Sequence, residues 1–280
     1  MSDNTSFRLK FWGTRGSIAC PGPDTVKYGG NTTCFEVTCG SRRIIIDAGT
    51  GIRALGQKIM HEEGNSLNAD IFFTHTHMDH IQGLPFFTPL YNPKNKIRLH
   101  VGPLQPPCDL QGVISRMLMK APIFPVPSSL IEQACTFNNY SCGQVFELGD
   151  GIVIRTGELN HPNGACGYRI EFAGKSIAIC TDTEHFEDRI DQNVVSLSHD
   201  ADVMVYDAAY TDEDYPKFKG WGHSTWQEAV KVAEAANVKQ TFLFHHDPSH
   251  DDDKMDSIAE EVAKIRPSVR PAIEGEEIEI

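Results

Sequence analysis

The sequence predicts an α/β (α+β) protein in which two β-sheets pack face to face with helices on the outside. Each half of the chain holds a series of short strand-like runs followed by helices, and we find no low-complexity linker or short repeat between them. With 280 residues and 40% hydrophobic content, the chain is long enough to bury a sizeable core. We therefore expect a single domain spanning residues 1–280.

Strands are predicted where short runs rich in β-branched or aromatic residues are bounded by Gly, Asn or Asp. In the first half these runs are Arg8–Trp12, Thr33–Val37, Arg43–Ile46 and Ala69–Thr74. In the second half they are Ile152–Leu159, Ala165–Phe172, Ser176–Cys180, Val203–Tyr206 and Thr241–His245.

Apolar residues at helical spacing predict the helices. The expected helices are Ile52–Glu62, Ser224–Ala236 with Ser224 as N-cap, and a closing helix Asp256–Ile265. The Pro-rich stretch 103–127, in which Leu110–Lys120 can form one helix, is interpreted as a surface loop near the mouth of the site.

The charge balance and cysteine usage narrow the partners and the compartment. A net charge of −13 repels polyanions at long range, so broad nucleic-acid binding is disfavoured, whereas a small phosphate ester held at metal ions is not. No apolar run reaches the 18 or so residues that span a bilayer, so no membrane partner is expected. A polar start and eight cysteines without a Cys-x-x-Cys pair favour a cytoplasmic location.

Four metal-binding side chains fall within six residues at the end of a predicted strand: His75, His77, Asp79 and His80. Imidazole and carboxylate together suit zinc, manganese or iron, and four ligands can serve two ions. The alternative is a polar loop that is His-rich by chance, which this spacing disfavours because the chain has only 12 histidines.

This His-x-His-x-Asp-His run resembles the signature of the metallo-β-lactamase fold superfamily. From about Phe7 to at least His246, the chain looks like the tRNase Z-like and cyclic phosphodiesterase branch. The resemblance implies a four-layer αββα sandwich of two mixed sheets, with two divalent metal ions at one edge. Zinc is the first candidate and manganese the second, and a homodimer is expected by resemblance alone.

The resemblance also implies the remaining ligands, each matched at its own position. One metal would be held by His75, His77 and His161, the other by Asp79, His80 and His246, with Asp182 bridging them and a hydroxide between them as nucleophile. Thr181 stands where the family has glycine before the bridging aspartate. His245 competes with His246, since alternation along a strand lets only one of them face the site, and we favour His246.

A second pair narrows the chemistry. In the branch that the chain resembles, an acidic strand-end residue orients a histidine that precedes Ser-Thr, which here matches Asp207 and His223. His223, beside a metal-bound phosphate, would donate a proton to the leaving oxygen, and we count Asp79, Asp207 and His223 as catalytic. The alternative is that His223 merely packs at a helix start.

The pair favours phosphoesters, so we expect a phosphodiesterase acting on a small phosphodiester, with a 3′,5′-cyclic nucleotide as first substrate. The alternative is a tRNA 3′-processing endonuclease, but the Gly- and Pro-rich basic arm typical of such enzymes is missing from the second half. A non-catalytic metal- or ligand-binding domain is the hypothesis of another class. Arg15 is expected at the surface, within possible reach of a substrate anion.

Overall fold

The computed structural model describes residues 5–62, 67–104 and 107–280. The strands in this part of the chain are β1 (Phe7–Gly13), β2 (Cys34–Cys39), β3 (Arg42–Ile46), β4 (Asn68–Phe73), β5 (Lys96–Val101), β6 (Cys135–Asn139), β7 (Val145–Gly149), β8 (Ile152–Leu159), β9 (Ala165–Phe172), β10 (Lys175–Cys180), β11 (Val203–Asp207), β12 (Gln240–Phe244), β13 (Val269–Pro271) and β14 (Glu277–Glu279). The α-helices are α1 (Ile52–Glu62), α2 (Met78–Ile81), α3 (Gln192–Ser198), α4 (Trp226–Ala235) and α5 (Asp252–Ile265), with a π-helix at Gly112–Leu118.

The strands form two sheets of similar topology. The first has the order β14-β1-β2-β3-β4-β5-β6 and the second β13-β12-β11-β10-β9-β8-β7. In the first sheet β3 to β6 run parallel, and in the second β10 to β13 run parallel, while the other neighbours are antiparallel. Carboxyl ends of parallel strands lie at one edge of a sheet, which is where side chains can converge.

An aromatic core joins the inner faces of the two sheets. Phe11 and Phe35 of the first sheet contact Phe242 and Phe244 of the second, with ring centroids 5.2 Å apart for Phe11–Phe242 and 4.4 Å apart for Phe35–Phe244. Helix α1 buries its apolar side on the outer face of the first sheet, and α3, α4 and α5 cover the second. The predicted four-layer αββα sandwich of two mixed sheets is therefore confirmed.

Every strand and helix predicted above is present to within a few residues, with differences at the ends. Thr225, rather than Ser224, caps α4, because its hydroxyl accepts a hydrogen bond from Glu228 N. Helix α5 begins at Asp252, four residues earlier than predicted, with Asp251 as its N-cap. In the described part of the chain, no helix combines the length and the apolar character that crossing a bilayer requires.

Arg15 lies in the core of the fold, which corrects the expectation that it is a surface residue. Its side chain is fully buried and donates to three backbone carbonyls: Nε to Gly29 O at 2.7 Å, and Nη1 to Asp247 O at 3.0 Å and His250 O at 2.5 Å. The guanidinium thereby fastens the loop after β1 to the loop after β12. Arg15 holds chain segments together and offers no charge to a substrate.

Replacing Arg15 by Met should lower the free energy of unfolding by about 1–3 kcal/mol or more. This is the cost of leaving one buried acceptor without its donor, and Arg15 serves three. Urea denaturation measures the change. The matched control is Arg116→Met, which removes an exposed arginine paired with Asp109 and should cost at most about 1 kcal/mol. Equal losses in the two variants would contradict a structural role for Arg15.

Candidate metal centre

The candidate ligands come from strand ends of both sheets. His75 and His77 follow β4, and Asp79 and His80 lie on the short helix α2. From the second sheet, His161 lies in the turn between β8 and β9, and Asp182 follows β10. Parallel pairing brings the carboxyl ends of these strands to the same edge, so residues distant in sequence meet there.

The ligand atoms form two adjacent groups. His75, His77 and His161 make up the first, and Asp79, His80, Asp182 and His245 the second, each with its ligand atoms within 4.8 Å of one another. In the first group His161 Nε2 lies 3.0 Å from His77 Nδ1. The first group thus contains the three histidines predicted for one metal. The second contains Asp79, His80 and Asp182 as predicted, with His245 as its fourth member.

Asp182 lies between the two groups. Its Oδ1 is 3.3 Å from His80 Nε2, 3.2 Å from His245 Nε2 and 3.9 Å from His75 Nε2. One carboxylate oxygen therefore faces imidazoles of both groups, which is the position that a bridging ligand needs. Asp182 has a φ of 60°, a backbone conformation that is uncommon outside glycine and is often found at functional sites.

His245 takes the position that the sequence assigned to His246. His245 Nε2 lies 3.3 Å from Asp79 Oδ2, whereas the His246 ring points away and its Nε2 donates to Ala272 O at 2.9 Å. The preference for His246 was wrong because strand β12 ends at Phe244 and His245 has a φ of 61°. That left-handed residue breaks the alternation on which the preference rested.

Polar contacts fix the imidazoles from behind. His80 Nδ1 donates to Asp47 Oδ2 at 2.8 Å, and His161 Nδ1 donates to Gly222 O at 2.8 Å, so Nε2 of each ring faces the site. The hydroxyl of Thr74 donates to the same Asp47 oxygen at 2.8 Å. Sequence reasoning did not assign a role to Asp47, although its place directly after β3 was the signal that could have found it.

The electrostatics of the site suit divalent cations. Burial lowers the pKa of His75 well below its ordinary value, with the neighbouring His80 adding to the effect, and burial also lowers the pKa of His161. Against the effect of burial, the carboxylates of Asp182 and Asp79 raise the pKa of His80. The lowered pKa values favour neutral His75 and His161, as metal binding requires, and at His80 a divalent cation would take the place of the proton that the carboxylates attract.

Two further features support the fit. His75 Nε2 and His80 Nε2 are buried without a hydrogen-bond partner among the described residues, although buried polar atoms are normally paired. The carboxylates of Asp79 and Asp182 have only histidines as cationic neighbours in the ion pairs that the described chain forms. Orphaned nitrogens beside buried carboxylates are the donor set that a divalent metal ion completes.

The predicted pair of Asp207 and His223 lies against the second group. His223 Nδ1 donates to Asp207 Oδ2 at 2.8 Å, and the His223 ring stacks on that of His245 at a centroid distance of 4.4 Å. Asp207 is fully buried, and its Oδ2 also accepts from Asp182 N at 3.1 Å. The same carboxylate thus orients His223 and fixes the backbone of the bridging aspartate.

Glu184 and Gly222 are site residues that sequence reasoning missed. The Glu184 carboxylate accepts from Gly220 N at 2.7 Å and from Gly222 N at 2.8 Å, which fixes the loop that carries His223. Gly222 has a φ of 91°, and a Cβ there would lie 2.3 Å from His161 Nδ1. Only glycine therefore allows this loop to approach the ligand.

Comparisons with known proteins agree with the geometry. The family model described as "Beta-lactamase superfamily domain" matches residues 42–246. A relative named Ribonuclease Z, from Bradyrhizobium diazoefficiens, is 26% identical over 324 residues, covering 97% of this chain and 99% of the relative. Among solved structures, the metallo-β-lactamase fold protein YhfI from Bacillus subtilis superposes with a TM-score of 0.72 at 15% identity, covering 98% of this chain and all of that one. The short form of human tRNase Z superposes with a TM-score of 0.66 at 20% identity, covering 97% of this chain and 98% of that one.

The chain belongs to the β-lactamase superfamily, and its fold is the metallo-β-lactamase sandwich. Fold, relatives and clustered ligands together define a hydrolase that depends on divalent metal ions. This class disfavours the non-catalytic alternative considered for the sequence.

The assignment of His245 can be tested against its neighbour in sequence. We expect His245→Gln to lose bound metal, because it removes a nitrogen that faces Asp79 and Asp182, whereas His246→Gln should keep it. A glutamine at 246 also retains an N–H that can reach Ala272 O. Metal content of the purified proteins, measured by mass spectrometry after reconstitution, decides between the two, and the reverse pattern would restore His246 as the ligand.

Proposed function

We propose that this chain is a dinuclear metal-dependent phosphodiesterase whose first substrate candidate is RNA. The observation that carries the chemistry is the pair of buried Asp207 and partly exposed His223, whose Oδ2 and Nδ1 lie 2.8 Å apart beside the cluster of candidate ligands. In the tRNase Z-like and phosphodiesterase branch that the sequence resembles, a carboxylate-held imidazole stands at this place. Such a histidine suits cleavage of a phosphodiester, whose leaving oxygen takes up a proton.

The metal ligands in this proposal are His75, His77 and His161 for one ion and Asp79, His80 and His245 for the other, with Asp182 shared. Two divalent ions at such a centre supply Lewis acidity and lower the pKa of water. Zinc and manganese both suit these nitrogen and oxygen ligands.

Side chains of this protein would orient the reacting groups and supply the proton. Asp207 accepts from His223 Nδ1, which fixes the tautomer and leaves Nε2 as the atom that gives a proton to the leaving oxygen. The stacked ring of His245 restricts rotation of His223, which keeps Nε2 aimed at one place. Ser17 N donates to Asp79 Oδ2 at 2.8 Å and so keeps this carboxylate turned toward the ligand cluster.

The relatives favour RNA over the cyclic nucleotide expected from the sequence. The relative aligned over nearly its full length is a ribonuclease by name, and the human protein of similar fold is a tRNase. The alignment with the former is longer than this chain, so that relative has segments with no counterpart here. RNA would therefore be gripped over a smaller surface, near the scissile phosphate.

The 3′,5′-cyclic nucleotide remains the second candidate because of charge. A chain with a net charge of −13 attracts a long polyanion poorly, and Tyr210–Trp221, between β11 and α4, is short and of mixed charge. A mononucleotide needs only the local field of the metal centre.

Replacing His223 by Ala should leave the bound metal unchanged and slow cleavage of a diester with a poor leaving group by about 10²–10⁴-fold. A diester of 4-nitrophenol needs little protonation of its leaving group and should be affected much less. His199→Ala, at an exposed histidine away from the site, is the control. Loss of metal from His223→Ala would instead make His223 a ligand, as its position near Asp182 and His245 permits.

The substrate is tested by offering precursor tRNA, linear dinucleotides and 3′,5′-cyclic nucleotides at matched concentrations to the metal-reconstituted enzyme. We expect cleavage of RNA at its 3′ side, with a rate that falls as salt rises because phosphate contacts release counterions. The His223→Ala variant shows that any cleavage arises at this site. Turnover of cyclic nucleotides with RNA left intact would overturn the ranking, and no cleavage of any diester would overturn the proposed chemistry.

A further inference from the structure

An exposed tryptophan lies beside the proposed catalytic histidine. Trp221 is 63% exposed, although a large aromatic side chain is normally mostly buried. It precedes His223 by two residues, so their Cα atoms lie within about 7 Å of each other. The exposed apolar surface therefore lies on the same short loop as the proposed catalytic histidine.

The backbone on both sides of Trp221 is held rigidly. Gly220 N and Gly222 N, its two neighbours, donate to opposite oxygens of the Glu184 carboxylate at 2.7 and 2.8 Å. Trp221 N itself donates to Phe218 O at 3.0 Å. Both glycines have positive φ, 87° and 91°, so this turn is built on a conformation that other residues rarely adopt.

A continuous set of rings connects Trp221 to the catalytic pair. The Trp221 ring packs edge-on against Phe218 at 5.4 Å, and Phe218 stacks on Tyr210 at 4.6 Å with an interplanar angle of 9°. Tyr210 in turn contacts His223 at 6.1 Å. The indole is thus supported from one side by protein and open to solvent on the rest of its surface.

Other exposed apolar side chains lie on the segments that carry candidate ligands or their hydrogen-bond partners. Met78 is 59% exposed and lies between the ligands His77 and Asp79 in sequence. Ile18 is 61% exposed and follows Ser17, whose N–H binds Asp79. A phosphate group alone makes no favourable contact with exposed apolar side chains. A flat apolar ring system can pack against them.

We propose that Trp221 is a specificity-determining residue that stacks on a nucleobase of the substrate while the adjoining phosphodiester lies at the metal centre. This inference rests on the proposed phosphodiesterase function. Stacking on an aromatic side chain is possible for any base, because every base has a π-face. Here the Glu184 carboxylate, which binds Gly220 N and Gly222 N, holds the Trp221 backbone in place. The base can belong to RNA or to a mononucleotide, and the test separates these sources.

The test compares two diesters with the same leaving group, thymidine 5′-(4-nitrophenyl phosphate) and methyl 4-nitrophenyl phosphate. We expect the wild-type enzyme to prefer the nucleoside substrate in kcat/KM. The preference should fall about 5- to 150-fold in Trp221→Ala and be mostly kept in Trp221→Phe, with the methyl ester hydrolysed as before. Ile265→Ala, at an equally exposed apolar residue on α5, is the matched control.

The outcomes separate the two levels of the proposal. Hydrolysis of neither ester by wild type would overturn the phosphodiesterase function, whereas hydrolysis of both with an unchanged preference in Trp221→Ala would overturn the base contact alone. A change of oligomeric state in Trp221→Ala, with the preference unchanged, would likewise overturn it and assign Trp221 to a subunit contact. Among active substrates, a loss confined to 3′,5′-cyclic AMP supports a mononucleotide base, and a loss confined to precursor tRNA supports an RNA base.

Fluorescence gives a readout independent of turnover. Stacking on adenosine 5′-monophosphate should quench the emission of exposed Trp221, while ribose 5-phosphate should not. Trp226 is buried and Trp12 is paired with Glu36 through its indole nitrogen, so the quenching should disappear in Trp221→Phe. Equal quenching in wild type and Trp221→Phe would contradict the stacking.

Discussion

The contact between the Asp182 carboxylate and imidazoles of both sheets is the interaction on which the site depends. His80 reaches it from the segment after β4 in the first sheet, at 3.3 Å, and His245 from the end of β12 in the second, at 3.2 Å. A carboxylate buried this completely is costly unless it is compensated. The relative position of the two sheets, set by the aromatic core between them, therefore decides whether the site exists at all.

Each sheet also supplies one buried aspartate that orients a histidine from behind. Asp47, after β3, accepts from His80 Nδ1 at 2.8 Å, and Asp207, at the end of β11, accepts from His223 Nδ1 at the same distance. Both aspartates are fully buried, so both contacts are made where an unpaired charge would be destabilising. The two halves of the sandwich thus contain the same arrangement, once at a proposed metal ligand and once at the proposed proton donor.

The sequence allowed nine of the fourteen strands and three of the five α-helices in the described residues to be predicted, together with most candidate ligands, because strand composition and the His-x-His-x-Asp-His spacing are local properties. It did not allow the choice between His245 and His246. Three residues of the site, Asp47, Asp182 and His245, adopt φ near +60° directly at or just beyond a strand end. Such a conformation is imposed by tertiary contacts, and it reverses the direction in which side chains leave the strand, so alternation arguments fail there. Glu184 was missed for a related reason, since its role depends on a turn 36 or more residues away in sequence.

The proposed function requires so acidic a protein to accept an anionic ester, which local charge can explain. Asp47, Asp79, Asp182 and Asp207 place four buried carboxylates around one small site, and by themselves they would repel a phosphate. Divalent cations reverse the sign of the local field while the rest of the surface stays negative. Under the proposed function, affinity for a phosphodiester would then be confined to the metal centre and the residues beside it. If the proposed function holds, a substrate gains its binding energy within about a nucleotide of the scissile bond, whether it is a short ligand or the end of a long RNA.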